Sequence, residues 1–215
     1  MSLKELASPM WSAAPWLLLS YLLGAIPASY LVGKAFRGID LRQVGSGNLG
    51  ATNLYRTLGW KFALPAGLFD VAKGAVPVLV FGPRVPDLPF FPVLCGIAAI
   101  VGHVFSVFVN FRGGKGVATA AGMILAIAPL ALLVALAVWL VVLRLTGYVS
   151  LASILAAAVF PPADWLLHPG RRSATSLGID VALAAFIVWK HRSNIRRLLD
   201  GTESRFGRRG TAGSD

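Results

Sequence analysis

The sequence predicts an all-α, polytopic membrane protein, and three observations predict it. Long apolar runs recur along the chain, most of them long enough to cross a hydrocarbon core as helices. Of 215 residues, 56% are hydrophobic and only 13% charged, with a mean hydropathy of +0.72; a soluble domain carries about 25% charged residues. The basic residues gather in alternate connections between the runs, as the positive-inside rule requires. One integral membrane domain is expected over residues 1–215, because the runs leave no room for a soluble module. From about residue 207 the chain reads as a disordered tail.

The first span is expected from about Pro15 to Phe36, interrupted by Gly24 and Pro27. Membrane helices tolerate such breaks when neighbours cover the loosened backbone. The run from Trp16 is too long for a cleavable signal peptide. A polar loop, Arg37 to Leu58, contains GSGNLGATN and then Arg56. The second span, about Trp60 to Phe81, carries Asp70 and Lys73 one turn apart, which reads as a structural ion pair. After a short Pro-rich linker, the third span runs from about Phe90 to Phe111. Val117 to Ala128 is a fourth helix of only about 18 Å. Pro129 opens the fifth span, which ends near Leu145. GYVSLAS leads into the sixth, ending near Leu167. The seventh covers about Leu177 to Trp189, and a basic tail follows.

Charge decides between six spans and seven. With seven, one side holds Lys34, Arg37, Arg42, Arg56 and Lys61; Arg112 and Lys115; Arg144; and all seven basic residues from Lys190 onward. That is 15 of the 20 basic residues. The rule therefore favours seven spans, an outside N-terminus and a cytoplasmic C-terminus. Arg171 and Arg172 fall on the wrong side. In this topology the polar motifs all reach the cytoplasmic face, and the opposite face is left to packing. The net charge of +11 is accounted for by anionic lipid rather than nucleic acid. The lone Cys95 lies in an apolar run and reads as a small core residue.

The chemistry is expected in four segments. In GHVFSVFVNFRGGKGVAT (Gly102 to Thr119), Gly113, Gly114 and Gly116 flank Lys115 where a helix would begin. Glycine backbone N–H groups, a helix N-terminus and a cation together suit a phosphate. A nucleotide loop is excluded, because Gly116 follows Lys115 where Ser or Thr should stand. On the preceding helix, His103 could serve as a general base. Phe105, Phe108 and Phe111 recur at helical spacing and read as packing or lipid contacts. In GSGNLGATN, Ser46, Asn48, Thr52 and Asn53 alternate with glycines that let backbone approach a ligand, and Arg56 could clamp a phosphate bidentately. GYVSLAS supplies Ser150. In the tail, His191, Asn194, Arg197 and Glu203 follow the last span at interfacial helix spacing, and a purely basic anchor has no need of Asn194 or Glu203. The histidines His103, His168 and His191 are scattered, so no metal centre is expected. No Ser-His-Asp or Cys-His arrangement can be argued.

These four segments, with DVAKG at Asp70 to Gly74, resemble the signatures of the bacterial acyl-phosphate:glycerol-3-phosphate acyltransferases. The resemblance spans about Leu18 to Glu203, and departures lie in peripheral loops and after Glu203. The His-x-x-x-x-Asp pattern of many other glycerolipid acyltransferases is absent, since Phe108 stands five after His103. The resemblance implies seven membrane helices, no metal or coenzyme, and a site facing the cytoplasm of a bacterial inner membrane. It implies transfer of an acyl group from acyl phosphate to the 1-hydroxyl of glycerol 3-phosphate, giving lysophosphatidic acid and inorganic phosphate in the first acylation of phospholipid synthesis.

Such a reaction needs two anion pockets at the membrane surface and an apolar slot for the chain. The roles follow from this. Lys115 and the Gly113, Gly114 and Gly116 backbone would hold one phosphate. Ser46, Arg56 and Asn194 would hold the other, or the developing oxyanion. Asn48, Thr52, Ser150 and His191 complete the expected substrate contacts, and His103, Ser46, Asn194 and Glu203 the expected catalytic set. Either His103 or a substrate phosphate takes the proton. Expected partners are the two substrates and membrane lipid, with no nucleic acid; a monomer is compatible with all of this. A phosphate transporter would instead need polar groups on both faces and a midplane site. A polybasic anchor would explain the tail but not the glycine loops.

Overall fold

The structure, a computed structural model, describes residues 3–206, with side chains from residue 11 on. The expected disordered tail, with Arg208 and Arg209, lies outside the described residues. Among the described residues every regular element is helical: α1 (Leu3–Ala25), α2 (Ala28–Arg37), α3 (Ala51–Leu58), α4 (Trp60–Val76), α5 (Phe91–Val104), α6 (Val117–Ile127), α7 (Pro129–Thr146), α8 (Val149–Leu167), α9 (Ala174–Lys190) and α10 (Arg192–Leu199). Five segments are long and apolar enough to cross a membrane: Trp11–Arg37, Trp60–Arg84, Phe91–Val109, Pro129–Thr146 and Val149–Leu167. The pair α9 and α10, bent by 56°, makes a sixth if taken as one span, and α6 is a shorter apolar helix. Two compact units divide the chain between Ile127 and Ala128. The division falls at Pro129, whose missing N–H and ring hold Ala128 in a non-helical conformation (φ −149°, ψ 61°).

The first unit contains α1 to α6. Its main helix contacts are made through reciprocal glycines. Gly24 of α1 lies against the backbone of Ala99 in α5, and Gly102 of α5 against Tyr21 and Ala25 of α1. Gly74 of α4 lies against Thr119 of α6, and Gly122 of α6 against Val71 and Ala75 of α4. A methyl group at any of the four would meet a backbone carbonyl. Where lipid is as apolar as the helices, such close approach is what drives association.

The expected break at Gly24–Pro27 is present and separates α1 from α2. Its loosened carbonyls are covered from two other elements. The Ser106 hydroxyl donates to Ala25 O at 2.5 Å, and the Lys73 ammonium donates to Ile26 O at 2.7 Å. A cation at the C-terminal end of α1 also suits the helix dipole. The second span continues past α4 as a π-helical turn, Pro77–Phe81, and a short 3-10 turn, Gly82–Arg84. Pro77 has no N–H to continue the α ladder.

Two expectations for this unit are corrected. The loop Arg37 to Leu58 ends in a helix: Thr52, Asn53 and Arg56 lie on α3. The third span ends as α-helix at Val104 rather than near Phe111. Ser106 stops it by accepting from Phe108 N at 3.3 Å, which nucleates a 3-10 turn over Val107–Val109. Asn110 (φ 55°) and Phe111 (φ 58°) then reverse the chain in left-handed conformations. For a phenylalanine this conformation costs about 1–2 kcal/mol; the Phe111 N–H bond to Ser106 O at 2.8 Å holds it. Phe108 and Phe111 are consequently not on a common helix face, although both are exposed, as lipid contacts would be.

The second unit contains α7 to α10, with α8 packed on α7, α9 and α10. One end of α8 and α9 carries a polar network where packing alone was expected. Buried Asp164 lies 2.9 Å from His168 Nδ1 and 2.9 Å from Arg171 Nε, and Arg171 also reaches buried Asp180 at 3.6 Å. Arg172 donates to Trp165 O at 2.7 Å. Asp164 on α8 and Asp180 on α9 thus add acidic residues within helices to the Asp70–Lys73 pair of α4. Of the two arginines that defied the charge count, Arg171 is paired with carboxylates and Arg172 is hydrogen-bonded to helix-end carbonyls, which lowers the cost of placing them at a membrane boundary.

Candidate active site

The glycine-lysine turn folds back on the end of α5. Gly113 N–H donates to Val104 O at 3.1 Å, and Gly114 N–H to His103 O at 3.2 Å. These bonds draw Gly114 onto the imidazole: a methyl on it would land on His103 Nε2. Gly116 is left-handed at φ 83°, which opens the way into α6, whose first intrahelical bond is Ala120 N–H to Gly116 O at 2.8 Å. The Gly113 and Gly114 N–H groups are engaged within the fold. Their lack of a side chain permits close packing on His103. The cation of half-buried Lys115 and the first-turn N–H groups of α6, which have no intrahelical acceptor, are what the turn offers to an anion.

His103 is 7% exposed, on the last turn of α5. Its Nε2 faces the turn, and its Nδ1 lies 3.7 Å from Asp70 Oδ1. Asp70 is also bound by Lys73 at 2.7 Å. An imidazole between a carboxylate and a basic turn can accept a proton on the turn side and stabilise the resulting charge on the other.

GSGNLGATN is organised by Asn53, which is 1% exposed. Its carbonyl accepts from Ser46 N–H at 2.9 Å, and its amide donates to Leu41 O and Val44 O, both at 3.0 Å. Gly45 (φ 58°) and Gly47 (φ 68°) permit the curl around it. Asn53 is thus a loop former. Ser46 stands exposed at the rim, Asn48 is half-buried, and Thr52 and Arg56 share one face of α3, four residues apart. Leu41, Leu49 and Leu54 pack with Ala63 and Ala66 of α4 and with Val109. This small core carries the GSGNLGATN segment and reaches the chain after α5 through Val109.

In the second unit, Glu203 collects three donors. Ser150 Oγ and Asn194 Nδ2 each donate to Oε1 at 2.7 Å, and Arg197 Nε to Oε2 at 2.7 Å. Burial alone would raise the Glu203 pKa, but the three donors outweigh it and hold the carboxyl below its ordinary value. The tail is fixed further by Phe206 N–H to Gly147 O at 2.7 Å and by Arg205 over the Tyr148 ring. His191 ends α9 with Nδ1 2.8 Å from Ile187 O. Of the sequence candidates, Ser150, Asn194 and Glu203 are in direct contact, and His191 stands one turn before Asn194.

A carboxylate whose pKa is lowered on folding contributes stability above its ordinary pKa, here 4.5. That contribution is lost as pH falls through the lowered value. Glu203→Gln is therefore expected to lose stability at pH 7 and to flatten the thermal-unfolding profile below pH 4.5. Equal pH profiles for the two proteins would count against this assignment.

Sequence reasoning missed the contact of Asp70 with His103, having assigned Asp70 to an ion pair alone. It also missed the organising role of Asn53, for which the only signal is an amide at the third position of a helix after a glycine loop.

The glycerol-3-phosphate acyltransferase family model matches residues 14–201. A glycerol-3-phosphate acyltransferase of Desulforudis audaxviator is 50% identical over 188 residues, covering 87% of this chain and 92% of that one. Its counterpart in Trichlorobacter lovleyi is 48% identical, covering 89% and 96%. Two crystal structures of PlsY (YgiH), an integral membrane glycerol 3-phosphate acyltransferase, are similar in fold. The glycerol 3-phosphate form has a TM-score of 0.83 and 39% identity, and the lysophosphatidic acid form 0.79 and 37%; each comparison covers 91% of this chain and 96% of the other. With the match running through nearly all described helices, the chain belongs to the glycerol-3-phosphate acyltransferase family of integral membrane enzymes.

Proposed function

We propose that this acyltransferase takes its acyl group from acyl phosphate and gives it to the 1-hydroxyl of glycerol 3-phosphate, releasing lysophosphatidic acid and inorganic phosphate. This would be the first acylation of phospholipid synthesis, at the cytoplasmic face of a bacterial inner membrane. The observation that carries the reading is the return of the glycine-lysine turn onto α5, which sets Lys115 beside the glycine packed on His103 Nε2. The residue that packs on the candidate proton acceptor is then next in the chain to a lysine for a phosphate, as suits a phosphorylated alcohol. The related crystal structures, in glycerol 3-phosphate and lysophosphatidic acid forms, correspond to the acceptor and product of that transfer.

In the proposed reaction the glycerol hydroxyl oxygen attacks the acyl carbonyl carbon, and His103 Nε2 takes the hydroxyl proton. The bond from carbonyl carbon to phosphate oxygen breaks, and phosphate leaves. Acyl phosphate is already activated, so catalysis reduces to positioning, charge stabilisation and one proton transfer. Lys115 and the start of α6 hold one phosphate, and Ser46, Asn48, Thr52 and Arg56 are the first unit's contacts for the other. Asn194, Ser150 and His191 are the second unit's substrate contacts, with Glu203 as the clamp that sets Asn194 and Ser150. Seven spans, counting α6 as a short one, with the N-terminus outside, place the basic motifs at the cytoplasmic side.

Purified protein in detergent, given acyl phosphate and glycerol 3-phosphate, is expected to release phosphate and form lysophosphatidic acid. Silence there, with phosphate flux in liposomes, would favour a transporter. His103→Gln is expected to lower kcat about 10²- to 10⁴-fold. Near-full turnover in that variant would remove His103 as the base and pass the proton to a substrate phosphate.

A further inference from the structure

Glu203 is buried, yet its neighbours Thr202, Ser204, Arg205 and Phe206 are all exposed. No helix carries it, since α10 ends at Leu199. A terminal segment keeps a side chain in place only where its backbone is tied down. The upstream tie is to α10. Gly201 turns the chain in a left-handed conformation (φ 69°), and the Thr202 and Glu203 N–H groups both donate to Arg197 O, at 2.8 and 3.1 Å.

The downstream tie is to a different element. Phe206 N–H donates to Gly147 O at 2.7 Å. The Arg205 guanidinium lies 5.2 Å from the centroid of the Tyr148 ring, and its Nε donates to Tyr148 Oη at 3.2 Å. A methyl on Gly147 would stand 3.5 Å from Arg205 Cβ, so the arginine stem covers the turn between α7 and α8. Glu203 in turn meets Ser150. These contacts pair Glu203 with Ser150, Arg205 with Tyr148 and Phe206 with Gly147. As one segment advances the other recedes, residue for residue. The tail is therefore laid in reverse register along the start of α8, and a slip of one residue would carry Glu203 about 3.3 Å along it. Two of the three rungs come from Arg205 and Phe206, beyond residue 201, where the family match ends.

We propose that Arg205 is a positioning residue for the acyl transfer: seated on Tyr148 and Gly147, it fixes the register of the tail on the start of α8 and so sets Glu203 against Ser150 and Asn194. The inference rests on the site role proposed for those three residues.

The test uses the full-length protein in detergent micelles. It reads phosphate release from acyl phosphate across pH, hydrogen exchange at the Phe206 amide, and thermal unfolding. Arg205→Ala, at an exposed position, is expected to lower kcat roughly 5- to 30-fold, the combined scale of a cation–π contact and a hydrogen bond. KM for glycerol 3-phosphate should change by less than about twofold. With its donors slackened, the Glu203 carboxyl should rise toward its ordinary value, so the acid limb of the pH–kcat profile should move up toward 4.5. Tyr148→Phe keeps the ring under the guanidinium and loses only the Nε bond, and should fall between wild type and Arg205→Ala. A merely structural arginine would lower the plateau through loss of folded protein and leave the acid limb in place, and that result would overturn the proposal, as would wild-type kcat in Arg205→Ala. Should the wild-type protein transfer no acyl group, the reading of the site falls by itself. Exchange at the Phe206 amide then still decides: faster exchange in Arg205→Ala shows that Arg205 holds the tail, and unchanged exchange shows that it does not.

Discussion

Gly114→Ala is expected to lower kcat by about 100-fold, the scale of loss that follows a 1 Å misplacement of reacting groups. The added methyl meets the imidazole of His103 at Nε2, with Cε1 and Cδ2 3.0 and 3.2 Å away. Neither side can yield freely. The ring is buried with Asp70 behind it, and the turn is tied to the same helix by the Gly113 and Gly114 N–H bonds. Whichever moves, the relation between ring and turn is lost. Overpacking of this kind also costs about 1–3 kcal/mol of stability, so thermal unfolding should be followed beside phosphate release. Gly170→Ala is the matched control, since a methyl there meets nothing within 4 Å. A Gly114→Ala enzyme with wild-type kcat would show that the ring and the turn do not work as one site.

Lys115→Ala is expected to act on binding rather than on chemistry. A hydrogen bond to a charged group contributes about 1.5–3 kcal/mol, and each 1.4 kcal/mol is a factor of about ten. The apparent KM for glycerol 3-phosphate should rise roughly 10- to 100-fold. The Gly113 and Gly114 amides are already engaged with Val104 O and His103 O, so they cannot replace the missing ammonium. An unchanged KM for glycerol 3-phosphate, with a raised KM for acyl phosphate, would move Lys115 to the donor's phosphate. No change in either would remove the turn from substrate binding altogether.

The helical class, the positions of the long apolar segments, the break at Pro27 and the separation at Pro129 could be read without a structure. Each rests on a local property: hydropathy over a window, or a proline that has no N–H and disfavours the helical conformation before it. The motif residues were legible for the same reason, since glycines, a lysine and a histidine in fixed order state which chemistry is available. The end of α5 was not legible. Residues Phe105 to Phe111 continue the apolar run, and hydropathy does not distinguish a helix from a chain turning back on itself. The turn depends on Ser106, whose hydroxyl reaches Ala25 O, 81 residues away.

The sequence by itself determined that this is an all-helical membrane protein with a basic, glycine-rich chemistry suited to phosphate, because composition and periodicity act within one segment at a time. Only the tertiary structure decided which groups of that chemistry remain available. It engaged the Gly113 and Gly114 amides in the return to α5, turned Asn53 into the centre of a loop, and gave Glu203 to Ser150, Asn194 and Arg197. It also brought Asp70 to His103 and Asp180 toward Arg171. The physical reason is common to all of these. A buried polar group must find a partner, and which partner it finds depends on helices that meet in space from distant parts of the chain.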